Sequence, residues 1–156
     1  MKNLLRIEQI IVKIEEASII SLLAALVFLQ LTQVLFRYFL NNPLHWVDEL
    51  SRYLFIWMIM IGAGYAAYKA THFNIEFFRG AMPLPLQRLF EVFSKATIGA
   101  FALIVIIYGS RLLVTVSNQM TAALRIPFSI PYGAVPAGSI LVLFHVLLTF
   151  VPFEKE

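Results

Sequence analysis

Four long apolar runs dominate the chain, and the polar residues between them are bunched rather than scattered. The first uncharged run, Ala17–Phe36, is 20 residues long. At about 1.5 Å per residue that is enough to cross roughly 30 Å of hydrocarbon as a helix. The second, Tyr53–Tyr68, has 16 residues and reaches only about 24 Å, so its helix must start further back, near Glu49. The third, Ala96–Ser110, is bracketed by Lys95 and Arg111. Their long stems carry the charges to the headgroups, and a helix from Phe90 to Leu113 fits. The fourth, Ile126–Phe153, contains Pro127, Pro131 and Pro136. A start after Pro136 would leave only Ala137–Val151, about 22 Å. A start at Pro131 reaches the required length, with a kink near Pro136 that neighbouring helices tolerate. The pattern predicts spans over residues 17–37, 49–68, 90–113 and 131–151, in one domain covering 1–156.

Composition points the same way. Sixty per cent of the residues are apolar and 13% charged, against roughly 45–50% and about 25% in soluble domains. One small core cannot hide that much apolar surface, so the fold class expected is an all-α integral membrane protein with four transmembrane helices. The leading stretch MKNLLRIEQIIVKIEEASII mixes acids and bases, and no small-residue cleavage site follows the first run. It reads as a retained span rather than a cleaved signal. The net charge is +3, but Lys and Arg stand singly at the ends of apolar runs. That excludes a nucleic-acid surface. With no cysteine the chain has no disulfide, thiolate nucleophile or iron–sulfur ligand of its own.

The basic residues also set an orientation. Lys2, Arg6 and Lys13 precede the first span, Lys69, Arg79, Arg88 and Lys95 lie in the middle connection, and Lys155 follows the last. The other two connections hold Arg37, Arg52, Arg111 and Arg125. Eight against four puts both termini and the middle connection in the cytoplasm. In that connection Phe73, Phe77 and Phe78 alternate with Asn74, Glu76 and Arg79. The alternation predicts a short interfacial helix, with His72 and Glu76 among its polar residues.

Candidate chemistry is concentrated in NNPLHWVDELSRYLF, residues 41–55. Asn42 before Pro43 predicts a helix start, a capping side chain followed by proline at the first helical position. His45, Asp48, Glu49 and Arg52 then fall on one polar stripe, at the same membrane face as Arg37. Two compatible readings follow: a self-paired stripe with both acids in reach of Arg52, or a docking surface for another protein. His45 and Glu49 alone are too few to hold a metal, and Arg52 opposes one. Histidines matched for haem are missing, and His145 is expected to bond a neighbouring helix. None of the four apolar runs has an acid at its centre, and no broken helices recur in matching halves. An autonomous transport pathway is therefore disfavoured. Gly62/Ala66 and Ala63/Ala67 offer two small-xxx-small spacings for helix packing. No nucleotide loop or nucleophile arrangement is present, so no enzyme activity, metal or cofactor is expected on this chain.

Taken in order, RYFLNNPLHWVDELSRYLFIWMIMIGAGYAAYKATHFNIEFF resembles the small membrane subunit of TRAP transporters, the DctQ-like family. The matching points are Arg37, Trp46, Asp48, Glu49, Arg52, Trp57, Gly62 and His72. ALRIPFSIPYGAVPAG resembles that family's second landmark, a proline-rich entry into the last span. The likeness covers nearly the whole chain in spacing and span count. It implies a non-catalytic subunit in the bacterial inner membrane. Such a subunit braces a large multi-span partner that holds the substrate and sodium sites, and it helps form the surface on which a periplasmic binding protein docks. Arg37, His45, Trp46, Asp48, Glu49 and Arg52 would then be a structural or partner-interface cluster, and phospholipid the remaining partner. Similarity to sialic-acid systems makes sialic acid the first substrate expectation and C4-dicarboxylates the second. The rivals are an autonomous small transporter and a subunit of an unrelated membrane complex.

Overall fold

The computed structural model describes residues 2–72 and 83–149, and it is all helical but for one isolated bridge. Helix α1 runs Lys2–Tyr38, α2 His45–His72 and α3 Leu84–Val116; a short α4, Ser129–Tyr132, leads into α5, Ala134–Leu148. Four segments are long and apolar enough to cross a membrane: Arg6–Tyr38, His45–Lys69, Pro85–Val116 and Ser129–Leu148. The first and third, of 33 and 32 residues, are each about 50 Å long, well beyond the hydrocarbon thickness. They tilt or project from the bilayer. The interfacial helix expected over residues 73–79 lies outside the described residues, as does Glu76.

The ends of α1 and α2 explain each other. Asn41 takes a left-handed conformation (φ 48°), and the Asn42 N–H returns to the Phe36 carbonyl at 3.1 Å. The left-handed residue and this return bond close the C-terminal end of α1. Asn42 is thus the last residue of the α1 ending, and preceding Pro43 it is biased away from helical geometry. The expected Asn42–Pro43 helix start is therefore corrected: α2 begins at His45.

Helices pack in an open row, α1 on α2, α2 on α5 and α5 on α3. The α2–α5 contact is the closest. A Cβ on Gly138 would meet the Met60 carbonyl oxygen at 2.5 Å, and one on Gly64 would meet Leu141 Cβ at 2.7 Å. The packing glycines within the chain are therefore Gly64 and Gly138. The predicted stripe of Gly62, Ala63, Ala66 and Ala67 is not that seam: open space surrounds Gly62, and Ala63 and Ala66 are exposed. Helical phase is the reason. Gly62 sits two residues before Gly64, about 160° away round the helix.

The last span is interrupted one turn before Pro136 rather than at it. Pro136 has no N–H for the Tyr132 carbonyl. The helix pauses at Gly133, whose N–H still reaches the Ser129 carbonyl at 2.9 Å, and resumes with Ala137 N–H on Gly133 at 3.2 Å.

Gly138→Val should lower stability in detergent by roughly 1–3 kcal/mol, the usual cost of overpacking a tight seam. Gly62→Ala should leave the melting temperature nearly unchanged. Thermal denaturation of the two purified variants checks both.

Candidate functional site

At the Arg37 side of the membrane, polar side chains of α1 and α2 hold the connecting segments in place. Gln33 of α1 is buried, 6% exposed. Its Nε2 donates to Asp48 Oδ2 at 3.1 Å, while its Oε1 accepts the Leu44 N–H at 3.2 Å. One glutamine thus ties α1 to the first turn of α2 and to the turn before it.

Glu49 faces the other way. Its Oε1 accepts the Tyr53 hydroxyl at 2.6 Å, and its Oε2 accepts the backbone N–H groups of Ala123 and Leu124 at 2.6 and 3.2 Å. Those donors belong to a narrow loop. Thr121 N–H bonds the Ile126 carbonyl at 2.9 Å, the Ile126 N–H returns to Thr121 Oγ1 at 3.1 Å, and Met120 pairs with Pro127. Arg125, with φ 53°, makes the reversal. The chain turns its N–H groups inward on a carboxylate, the geometry that backbone nests use for anions. Two turns deeper than Glu49, Trp57 Nε1 donates to the Ile130 carbonyl at 3.3 Å.

The polar stripe predicted over His45, Asp48, Glu49 and Arg52 is corrected accordingly. Asp48 and Glu49 are consecutive, about 100° apart on the helix, so they serve different neighbours: α1 for Asp48, the 121–126 loop for Glu49. Among the described residues no ion pair joins either acid to Arg52 or Arg37. His45, Trp46, Arg37 and Arg52 are all exposed. His72 closes α2 at the opposite side of the membrane.

A second polar cluster lies at that opposite side. His145 of α5 is 1% exposed and Glu15 of α1 2%. The Glu15 carboxylate sits with both oxygens 3.2 Å from His145 Nε2. Glu8, two turns earlier, places Oε1 3.9 Å from Nδ1. The Tyr68 ring lies 5.5 Å from the imidazole and the Phe144 ring 5.4 Å. Glu15 reaches His145 across α2 because Gly64 has no side chain: a Cβ there would stand 2.8 Å from Glu15 Oε1. The sequence places His145 against a neighbouring helix without naming Glu15. The missed signal is the repeat Glu8, Glu15, Leu22, whose spacing of seven keeps both acids on the face of α1 that continues into buried Leu26 and Gln33.

No group of three metal-ligating side chains exists among the described residues. What this chain builds is two anchors, one at each membrane boundary, rather than a reaction centre.

A family model for the DctQ component of tripartite ATP-independent periplasmic transporters matches residues 22–153. The chain belongs to the DctQ family. With four helices long and apolar enough to cross a membrane, it is a multi-pass membrane protein of that family. The "Sialic acid TRAP transporter small permease protein SiaQ" of Vibrio cholerae is 36% identical over 98 residues, 60% of this chain and 57% of that protein. The "C4-dicarboxylate TRAP transporter small permease protein DctQ" of the same organism is 25% identical over 167 aligned positions, 91% of this chain and 72% of its relative. The "Sialic acid TRAP transporter permease protein SiaT" of Haemophilus influenzae is 27% identical over 133 residues, 85% of this chain but 22% of that protein. This DctQ chain thus spans little more than half the length of the sialic-acid small permease it matches.

The two sequence landmarks of the resemblance meet in the fold. Glu49 and Trp57 of the first hold Ala123, Leu124 and Ile130 of the second.

Glu49→Gln puts an amide where two backbone N–H groups need an acceptor, so the 121–126 loop should exchange its amide hydrogens faster than in the parent chain. Hydrogen–deuterium exchange reads this, with residues near Gly99 as the unchanged control. For the Glu15–His145 cluster, a double-mutant cycle of Glu15→Gln and His145→Asn should give a coupling of roughly 1–3 kcal/mol in thermal unfolding. Additive effects would show that the pair is not an interacting unit.

Proposed function

We propose that this chain is the bracing subunit of a tripartite organic-acid importer in the bacterial inner membrane, bound to a large subunit that holds the substrate and sodium sites. In this reading both termini are cytoplasmic and the Arg37 side faces the periplasm. The Glu49-held loop then lies where a periplasmic binding protein delivers substrate. Sialic acid is the first substrate assignment and a C4-dicarboxylate the second, following the printed names of the two small-permease relatives.

The carrying observation is the alignment of 85% of this chain onto 22% of a permease from Haemophilus influenzae. There the counterpart of this chain is a minor part of a much longer protein, as expected if the small subunit works beside a larger one. The open helix row agrees. α1 and α3 form its edges and leave long apolar faces exposed, Phe28 and Val114 among the most open. The chain also lacks acids at the centres of its apolar runs, so the coupling ion is assigned to the partner.

Purification of the tagged chain co-expressed with its large subunit should yield both, and deletion of this chain should abolish uptake by the reconstituted system. Uptake by this chain alone in liposomes would instead establish an autonomous transporter.

A further inference from the structure

One face of α2 stays open beside α1. Asp48, Arg52 and Phe55 lie on it and line, with α1, a groove of about 640 Å³. Gly62 and Ala66 continue the same face, each within about 20° of Phe55 at 3.6 residues per turn. A Cβ on Gly62 would meet nothing within 4 Å, so the ridge is bare there and a second helix can approach closely.

Two polar side chains line this groove without a partner among the described residues. Gln30 of α1 is exposed, and no hydrogen bond reaches its side chain from the described residues. It lies seven residues inside Arg37, about 10 Å along the helix. Arg52 has no carboxylate within ion-pair distance among the described residues, because Asp48 is engaged by Gln33 and Glu49 by the loop. Acyl chains offer nothing to an amide at that depth, and an unsatisfied polar group in hydrocarbon is costly. A helix with polar side chains satisfies both Gln30 and Arg52, and its approach fits the bare ridge at Gly62 and Ala66.

We infer that the α1–α2 groove receives a transmembrane helix of the large subunit, which brings a hydrogen-bonding group to Gln30 and an acidic or other acceptor group to Arg52. The inference rests on the subunit reading above and adds to it the surface and the chemistry of the contact.

The test is photocrosslinking in the co-expressed complex, with p-benzoylphenylalanine in place of Val27 or Phe55 in the groove. Phe28, about 160° round α1 from Gln30, is the comparison site. Adducts with the large subunit from Val27 and Phe55, and markedly fewer from Phe28, are the expected result. Arg52→Ala and Gln30→Leu should each reduce the recovered complex by roughly threefold to tenfold, the scale of one interhelical polar contact. If the complex copurifies but the groove positions crosslink only to phospholipid or no more than Phe28 does, the groove assignment is overturned and the subunit reading stands. If no complex forms with the parent chain, the subunit reading itself falls, and the groove assignment with it.

Discussion

A carboxylate at a membrane boundary has to be given donors, and the way Glu49 obtains them organises one side of the molecule. Its two oxygens collect a tyrosine hydroxyl and two backbone N–H groups from a segment more than seventy residues away. The bond requires the loop to reverse at Arg125 and close on itself through Thr121 and Ile126. That closure delivers the chain to Ser129 in position to enter the last span. Gln33 then fixes α1 against the same turn of α2, so three of the four spans are registered at this boundary by a glutamate and a glutamine.

At the other boundary the same rule acts through a different pair. Glu15 and His145 are nearly fully buried and bond across α2 through His145 Nε2, with Glu8 3.9 Å from the Nδ1 that makes no hydrogen bond. Intramembrane ionisable groups persist only when paired or hydrated. The absence of a side chain at Gly64 is what makes the pairing reachable. An open row of helices has little interior to hold it together, and long polar side chains joining non-neighbouring elements supply what a closed bundle would gain from a shared core.

Helix count and apolar lengths were readable because a span must exceed a minimum length, and no tertiary context relaxes that. The site was readable only in part. Proximity along α2 suggested pairing among Asp48, Glu49 and Arg52, but acceptors bond whatever donor tertiary structure brings nearest. For Glu49 that donor is backbone, which sequence pattern does not display. Gly62 stood out through spacing, whereas Gly64 and Gly138 matter through their distance to another helix, a property of the crossing and not of the string. Glu15 lies outside the uncharged run, yet inside α1, which begins well before that run at Lys2.

The partners Glu49 uses in the loop are main-chain groups. Every residue type except proline presents the same N–H, so the side chains at positions 123 and 124 are irrelevant to the grip. Positions 123 and 124 can therefore change chemistry while Glu49, with Thr121 and Arg125 closing the loop, keeps its path. A surface can thus be retuned to a new partner with the scaffold beneath it left alone.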